Sequence, residues 1–243
     1  MAGTLNTAMV LCAGLGTRMA MPANNGLPKP LVQLQGKALV DHVLDRLAAA
    51  GIARAVVNVH HKADQIEQHL RARKAPRVEI SDERAALLDT GGGVKKALPR
   101  LGPGAFLIHN ADSVWIEGVG ANLARLAAAW DDAAMDCLLL LALASTSHGY
   151  QGRGDFALES DGRIRRKRVE QEIVPFAFTG VSIAHPRLFD GSPEGAFSLN
   201  GVWSRAIAAG RGYGVRMDGV WMHVGTPAAL AEAEQCLSGA QRV

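Results

Sequence analysis

Cysteine, aromatic residues and net charge are all scarce in this 243-residue sequence, and each shortage removes a class of protein. The three cysteines, Cys12, Cys137 and Cys236, share no metal-ligand spacing and sit in apolar surroundings. They argue against a disulfide framework and for reduced, buried thiols in a cytoplasmic protein. A formal charge of +3 is small for the length. The one basic cluster, "RIRRKR" at Arg163–Arg168, reads as the solvated face of a hairpin, so no nucleic-acid partner is expected. The apolar run "CLLLLALA" at Cys137–Ala144 is far short of the roughly 20 residues that cross a bilayer. No basic segment followed by a long apolar run opens the chain, so no membrane partner is expected either. The four tryptophans, Trp115, Trp130, Trp203 and Trp221, read as core packing.

What the sequence does have is alternation. "AMVLCA" reads as a buried strand, and "ALVDHVLDRLAAAG" follows with Leu39, Val40, Val43, Leu44 and Leu47 on one helical face, stopping at Gly51. The same alternation continues through "RAVVNVHH", "KADQIEQHLRAR" and "RVEISDE". Next come a helix from "GGGVKKAL" ending before Pro99, the strand "AFLIHNAD", the helix "ANLARLAAAW" and the strand "DCLLLLALA". The predicted fold class is α/β, a doubly wound, mostly parallel Rossmann-like sheet that binds ligands at the carboxyl ends of its strands. Beyond about Ser145, "GDFALESDGRIRRKR" and "VPFAFTGVSIAHP" alternate around a D-G turn and read as a mixed-sheet lobe. "GYGVRMDGVWMHVG" supplies one or two strands and "TPAALAEAEQCL" a closing helix, with Thr226 as its N-cap and Pro227 in its first turn. We expect one domain over 1–243, with a nucleotide-binding half over about 1–144 and a lobe over about 145–243.

Two familiar phosphate loops are missing as well. In "LCAGLGTRM", Leu11–Met19, the third glycine of a dinucleotide fingerprint is replaced by Met19. A Walker A lysine does not follow Gly16, where Thr17 and Arg18 stand instead. What survives is general: glycines let backbone amides approach an anion, and Arg18 together with Lys29 of "LPKPL" can supply positive charge. A glycine turn carrying two solvated basic side chains is the alternative. Two further loops of unusual composition follow at strand ends, "DTGGG" at Asp89–Gly93 and "HNAD" at His109–Asp112. Exposed amides at a triple glycine suit a base or phosphate, and a strand-end carboxylate such as Asp112 suits Mg²⁺. A helix start and a helix cap are their plainer readings. Adjacent His60 and His61 close a strand on opposite faces, where one is expected to bond a loop carbonyl. Asn58 serves either ligand or structure.

Taken in order, "LCAGLGTRM", "LPKPL", "VVNVHH", "LLDTGGG", "NAD" and "VGTP" resemble the sugar-1-phosphate nucleotidyltransferases over about Ala8–Leu230. The "TGGG" loop and "VNVHH" strand are most similar to the N-acetylmuramate-1-phosphate uridylyltransferase subfamily of peptidoglycan recycling. Mannose-1-phosphate guanylyltransferases share nearly the same signature. The resemblance implies a nucleotide-diphospho-sugar transferase fold acting on a nucleoside triphosphate and a sugar-1-phosphate with Mg²⁺, or Mn²⁺, as cofactor. It implies that Leu11, Ala13 and Gly14 line base and ribose, that Gly16, Thr17 and Arg18 wrap the triphosphate, and that Lys29 reaches the reacting phosphates. Thr90, Gly91 and Gly92 would contact the base, Asn110 the nucleotide, and Asp112 the metal. Asp155, Thr179, Gly180 and Asn200 would serve the sugar. Where relatives carry a second carboxylate near "VGTP", this chain has His223, which becomes the candidate second ligand, with Asp218 as the other possibility. Glu170 and Glu172 stand in the segment where hexose enzymes carry E-K-P, and solvated hairpin charges are the alternative for them. The lack of a trimerising β-helix tail predicts a monomer or small homo-oligomer. A silent nucleotide-sugar sensor, with turnover lost through the change at His223, is the non-enzymatic alternative.

Overall fold

The computed structural model describes residues 5–19 and 26–240. Its central strand, β1 (Thr7–Leu11), is short and apolar, with Ala8, Met9 and Val10 fully buried. A strand covered on both faces has no solvent side to mark with polar residues. A small hairpin, β2 (Gln33–Leu34) with β3 (Lys37–Ala38), leads into α1 (Leu39–Ala49). This helix buries the five residues expected from its periodicity, Leu39, Val40, Val43, Leu44 and Leu47. Then come β4 (Arg54–Val59), α2 (Ala63–Leu70), β5 (Arg77–Asp82), α3 (Asp89–Leu101), β6 (Phe106–Asn110), β7 (Ser113–Glu117) and α4 (Asn122–Ala129). The second half contributes β8 (Cys137–Leu143), β9 (Phe156–Leu158), β10 (Ile164–Arg166), β11 (Phe176–Ala184), α5 (Leu199–Ala208), β12 (Gly212–Arg216), β13 (Gly219–His223) and α6 (Pro227–Ala240). None of the described helices is long and apolar enough to cross a membrane.

In the main sheet β5, β4, β1 and β6 lie side by side and parallel. β11 runs antiparallel between β6 and β8, and β12 pairs in parallel with β8. The run "VPFAFTGVSIA", expected in a mixed-sheet extension, is thus the strand that makes the main sheet mixed. β9 meets β11 only at Phe176 and carries β10 as the other arm of a hairpin. Alternate residues serve the two faces: Ala8 and Val10 pack with α1, α2 and α4, while Met9 packs with α3 and α5. A third cluster joins Met19, Leu34, Leu39, Val114 and Met222 to Ala233 of α6.

Three local departures have clear causes. The third helix does not stop before Pro99 but includes it, because a missing N–H and a crowded carbonyl matter little in a last turn, which the Gly102 N–H closes onto the Leu98 carbonyl. Ser113–Glu117 is a strand the sequence pattern hides, since its partner β13 lies about a hundred positions away; the ribbon pairs Ser113 with His223. The hydroxyl of Thr226 accepts from the Ala229 N–H, the capping expected of it. Cys12 and Cys137 are buried, and burial pushes the Cys137 thiol up to about 12 and Cys12 higher still. All four tryptophans are buried in the core.

Candidate active site

Register places Leu11, Asn58 and Asn110 shoulder to shoulder at the carboxyl edge of β1, β4 and β6. Beyond that edge opens a cavity of about 620 Å³. Its walls are the loop from Leu11 to Met19, Lys29 and Pro30, Asn58, Leu87, Asp89 and Thr90, the turn from Asn110 to Asp112, Ala196 and Gly225. Ten of the expected residues therefore meet there: Leu11, Ala13, Gly14, Gly16, Thr17, Arg18, Lys29, Thr90, Asn110 and Asp112.

The glycine loop is shaped by contact with the lysine arm. Gly16 adopts φ +66°, and a Cβ on it would stand 3.1 Å from the Cβ of Lys29. The Met19 N–H then closes a 3-10 turn onto the Gly16 carbonyl, presenting Thr17 and Arg18 at the rim. Arg18 is exposed and, among the described residues, has no hydrogen-bond or ion-pair partner. Lys29 starts a second 3-10 turn between Pro28 and Pro30, closed by the Leu31 N–H on the Pro28 carbonyl. The two prolines restrict how the lysine backbone can move.

At the cavity wall the Lys29 Nζ lies 2.5 Å from Asp112 Oδ2, with each side chain about 15% exposed. Burial alone would raise the Asp112 carboxyl, but the Lys29 ammonium, joined by the His223 imidazole at the low pH where that ring is protonated, outweighs it and holds the carboxyl below its ordinary value. His223 reaches this neighbourhood through the ribbon of β7 and β13. Burial lowers its imidazole, Asp112 opposes that, and Lys29 and Arg18 add to it, so the ring is neutral near pH 7. Gly225 packs against its Nε2 edge and, unlike His223 itself, lines the cavity. Asp218 sits at the opposite end of the ribbon, about 16 Å away by strand rise, with its carboxylate accepting the Val119 N–H. It is not the missing second carboxylate at Asp112.

The triple glycine works differently from its expected role. The N–H groups of Gly91 and Gly92 both donate to the Phe197 carbonyl, so neither faces an anion. A Cβ on Gly91 would fall 2.4 Å from the Phe197 ring, and one on Gly93 would fall 2.8 Å from both Asn58 and Glu83. These glycines allow close packing, and only Asp89 and Thr90 of that loop line the cavity. Thr90 also accepts the Leu199 N–H at the start of α5.

Asn58 has a structural part that its position only suggested. Its Oδ1 accepts the Cys12 N–H at 2.8 Å, and its amide donates to Glu83 Oε1 at 2.8 Å. Glu83, 1% exposed, was not legible as a site residue; its one signal is an acid directly after the strand "RVEISD". Burial raises its carboxyl despite the Asn58 bond. Asn58→Ala should therefore strand both the Cys12 amide and Glu83, at a cost on the order of 3 kcal/mol, read as a lowered urea midpoint. His60 bonds the Glu83 carbonyl, as expected of one of the paired histidines.

The four residues assigned to the sugar do not line this cavity. Thr179 is fully buried, and its hydroxyl donates to the Leu140 carbonyl inside the sheet. Asp155 accepts the Phe178 N–H and the Tyr150 hydroxyl, clamping β11. Gly180, at φ +83° beside the bulge of β11, makes room for the Asn110 side chain. Asn200 is exposed and holds Arg166 through its Oδ1 at 3.0 Å. Along the basic run, Arg163 pairs with Asp161 and Arg165 with Glu159 and Glu172.

A family model for the MobA-like NTP transferase domain matches residues 8–148. The N-acetylmuramate alpha-1-phosphate uridylyltransferase of Caulobacter vibrioides is 51% identical over 237 residues, covering 96% of this chain and 97% of the relative. The enzyme of the same name from Neisseria meningitidis serogroup B is 34% identical over 236 residues, covering 96% and 98%. Among solved structures, the inositol-1-phosphate CTP transferase from T. maritima superposes with a TM-score of 0.77 at 19% identity, covering 98% of this chain and 97% of that one, a likeness of fold. The chain belongs to the MobA-like NTP transferase family, the sugar-1-phosphate nucleotidyltransferases that its loops resemble.

Proposed function

We propose that this enzyme joins UTP to N-acetylmuramate 1-phosphate, forming UDP-N-acetylmuramate and pyrophosphate in peptidoglycan recycling. It would work as a monomer or small homo-oligomer in the cytoplasm. The carrying observation is the Lys29–Asp112 pair on the wall of a cavity rimmed by the exposed guanidinium of Arg18. Two anions have to meet in this reaction, and opposing charge on rigid turns is what brings them together. An oxygen of the sugar phosphate attacks the α-phosphorus, the bond from that phosphorus to the bridging α–β oxygen breaks, and pyrophosphate leaves with the electron pair. The attacking oxygen is already anionic near neutral pH, so no general base is required. Leu11, Ala13 and Gly14 hold base and ribose, and Gly16 and Thr17 wrap the triphosphate. Arg18 balances charge on the departing pyrophosphate, and Lys29 leans from Asp112 to the phosphates.

Among the described residues no group of three His, Cys, Asp or Glu is arranged to hold a metal by itself. The donors fit a hard cation that arrives with the nucleotide, since Mg²⁺ is commonly held by one or two carboxylates together with phosphate oxygens. Asp112 is that carboxylate, and the neutral His223 beside it also suits Mn²⁺. When bound, the ion neutralises phosphate charge.

The test is pyrophosphate release from a matrix of nucleoside triphosphates and sugar-1-phosphates. UTP with N-acetylmuramate 1-phosphate should give the highest kcat/KM. A preference for GTP and mannose 1-phosphate would replace the substrate assignment, and tight product binding without turnover by any pair would make the chain a sensor.

A further inference from the structure

His109 is fully buried in β6, at a position whose strand neighbours are Val10 and Val181. Its Nδ1 lies 2.8 Å from the Asn110 carbonyl, which can only accept, so Nδ1 carries the proton and Nε2 is left as a bare acceptor. Among the described residues no hydrogen-bond partner meets Nε2. The ring stacks on Trp115, centroids 5.5 Å apart at 13°, and the Arg46 guanidinium lies over the Trp115 ring, 3.6 Å from its centroid. Arg46 also donates to the Trp115 carbonyl, while Trp115 Nε1 and Arg46 Nη1 are likewise buried without hydrogen-bond partners among the described residues. An apolar column of the same volume would avoid three unmet polar atoms, and such local costs persist where they serve a site.

The beneficiary is Asp112, three residues along from His109. On its far side the Asp112 carbonyl accepts the Val224 N–H, and Ser113 Oγ accepts Trp221 Nε1–H at 3.0 Å while donating to the Thr179 carbonyl. On the near side the turn is tied by the imidazole. We propose that His109 is a positioning residue, whose Nδ1–H fixes the Asn110 peptide and so aims the Asp112 carboxylate, with Trp115 and Arg46 holding the imidazole plane. This rests on the reading that Asp112 meets a divalent cation at the reacting phosphates.

Two substitutions separate the donor from the ring: His109→Phe keeps the stack and loses the donor, and His109→Asn keeps an N–H near the Nδ1 position. Thermal melting reports folding, electron paramagnetic resonance of Mn²⁺ with UTP reports ion binding, and pyrophosphate release reports kcat and KM. In the Phe variant the midpoint should stay within a few degrees of wild type. Its Mn²⁺ dissociation constant should rise and its kcat fall by at least about tenfold, the usual effect of removing a supporting partner behind a metal ligand, with KM for UTP little changed. The Asn variant should recover most of both. Arg46→Met, which removes the clamp on Trp115, should shift Mn²⁺ binding in the same direction by less, and covers the case of a Phe variant that does not fold. Wild-type Mn²⁺ affinity and kcat in His109→Phe, equal losses in the Phe and Asn variants, or an unmoved Arg46→Met would overturn the assignment. A wild-type protein that neither binds Mn²⁺ nor turns over would instead remove the reading of Asp112 on which it stands.

Discussion

Asp112→Asn should lower kcat by on the order of 10³-fold, with wild-type-like secondary structure, because it removes the carboxylate that would hold the cation neutralising the reacting phosphates. The same change should also be visible without substrate. Asp112 has its carboxyl held low by Lys29 and His223 against the effect of burial, so the pair stabilises the fold above the unfolded carboxylate value and loses that contribution as pH falls through the folded value. At pH 7 the Asn variant leaves a mostly buried ammonium without its partner, costing about 2 kcal/mol, between the exposed and fully buried cases. Urea midpoints for the two proteins should converge as the pH is taken to 3. A gap that is as wide at pH 3 as at pH 7 would show that the pair is not its source.

Lys29→Met should cut kcat by on the order of 10²–10³-fold and yet strengthen the binding of Mn²⁺ alone. The ammonium now sits 2.5 Å from the oxygen that a cation would use, so ion and lysine compete for Asp112. Removing a like charge at that range should tighten Mn²⁺ binding in the absence of nucleotide by at least about tenfold. With UTP present the gain should shrink, because the wild-type lysine then has phosphate to pair with. Titration of Mn²⁺ with and without UTP checks both halves; weaker Mn²⁺ binding in the Met variant without nucleotide would refute the competition.

The parts of this molecule that announce themselves in the sequence are those whose causes are local. The helix Leu39–Ala49 carries its own apolar stripe, and Gly16 and Lys29 lie in loops of unmistakable composition. What stays hidden depends on distant partners. The triple glycine looks like a row of open amides until Phe197 arrives from more than a hundred positions away to take two of them. Thr179 looks available to a ligand until its hydroxyl is found on the Leu140 carbonyl. Asn58 and Glu83 become one clamp only when β4 and β5 are set side by side. Ser113–Glu117 is too short to declare itself without Gly219–His223, and with that pairing goes the placement of His223 beside Asp112.

The position of β11 governs the order in which the chain can fold. Strand β8 ends at Leu143, yet both its neighbours, β11 and β12, are made from residues at or beyond Phe176. The open side of β6 is covered by that same β11. A nascent chain that has emerged only as far as the end of β8 holds most of the nucleotide loops but leaves β6 with a bare edge and β8 with no partner. Exposed strand edges of that kind recruit other chains. The sheet closes only when Phe176–Ala184 threads between them, so the long-range step comes late and the first 144 residues alone should be prone to associate instead of folding as a smaller enzyme.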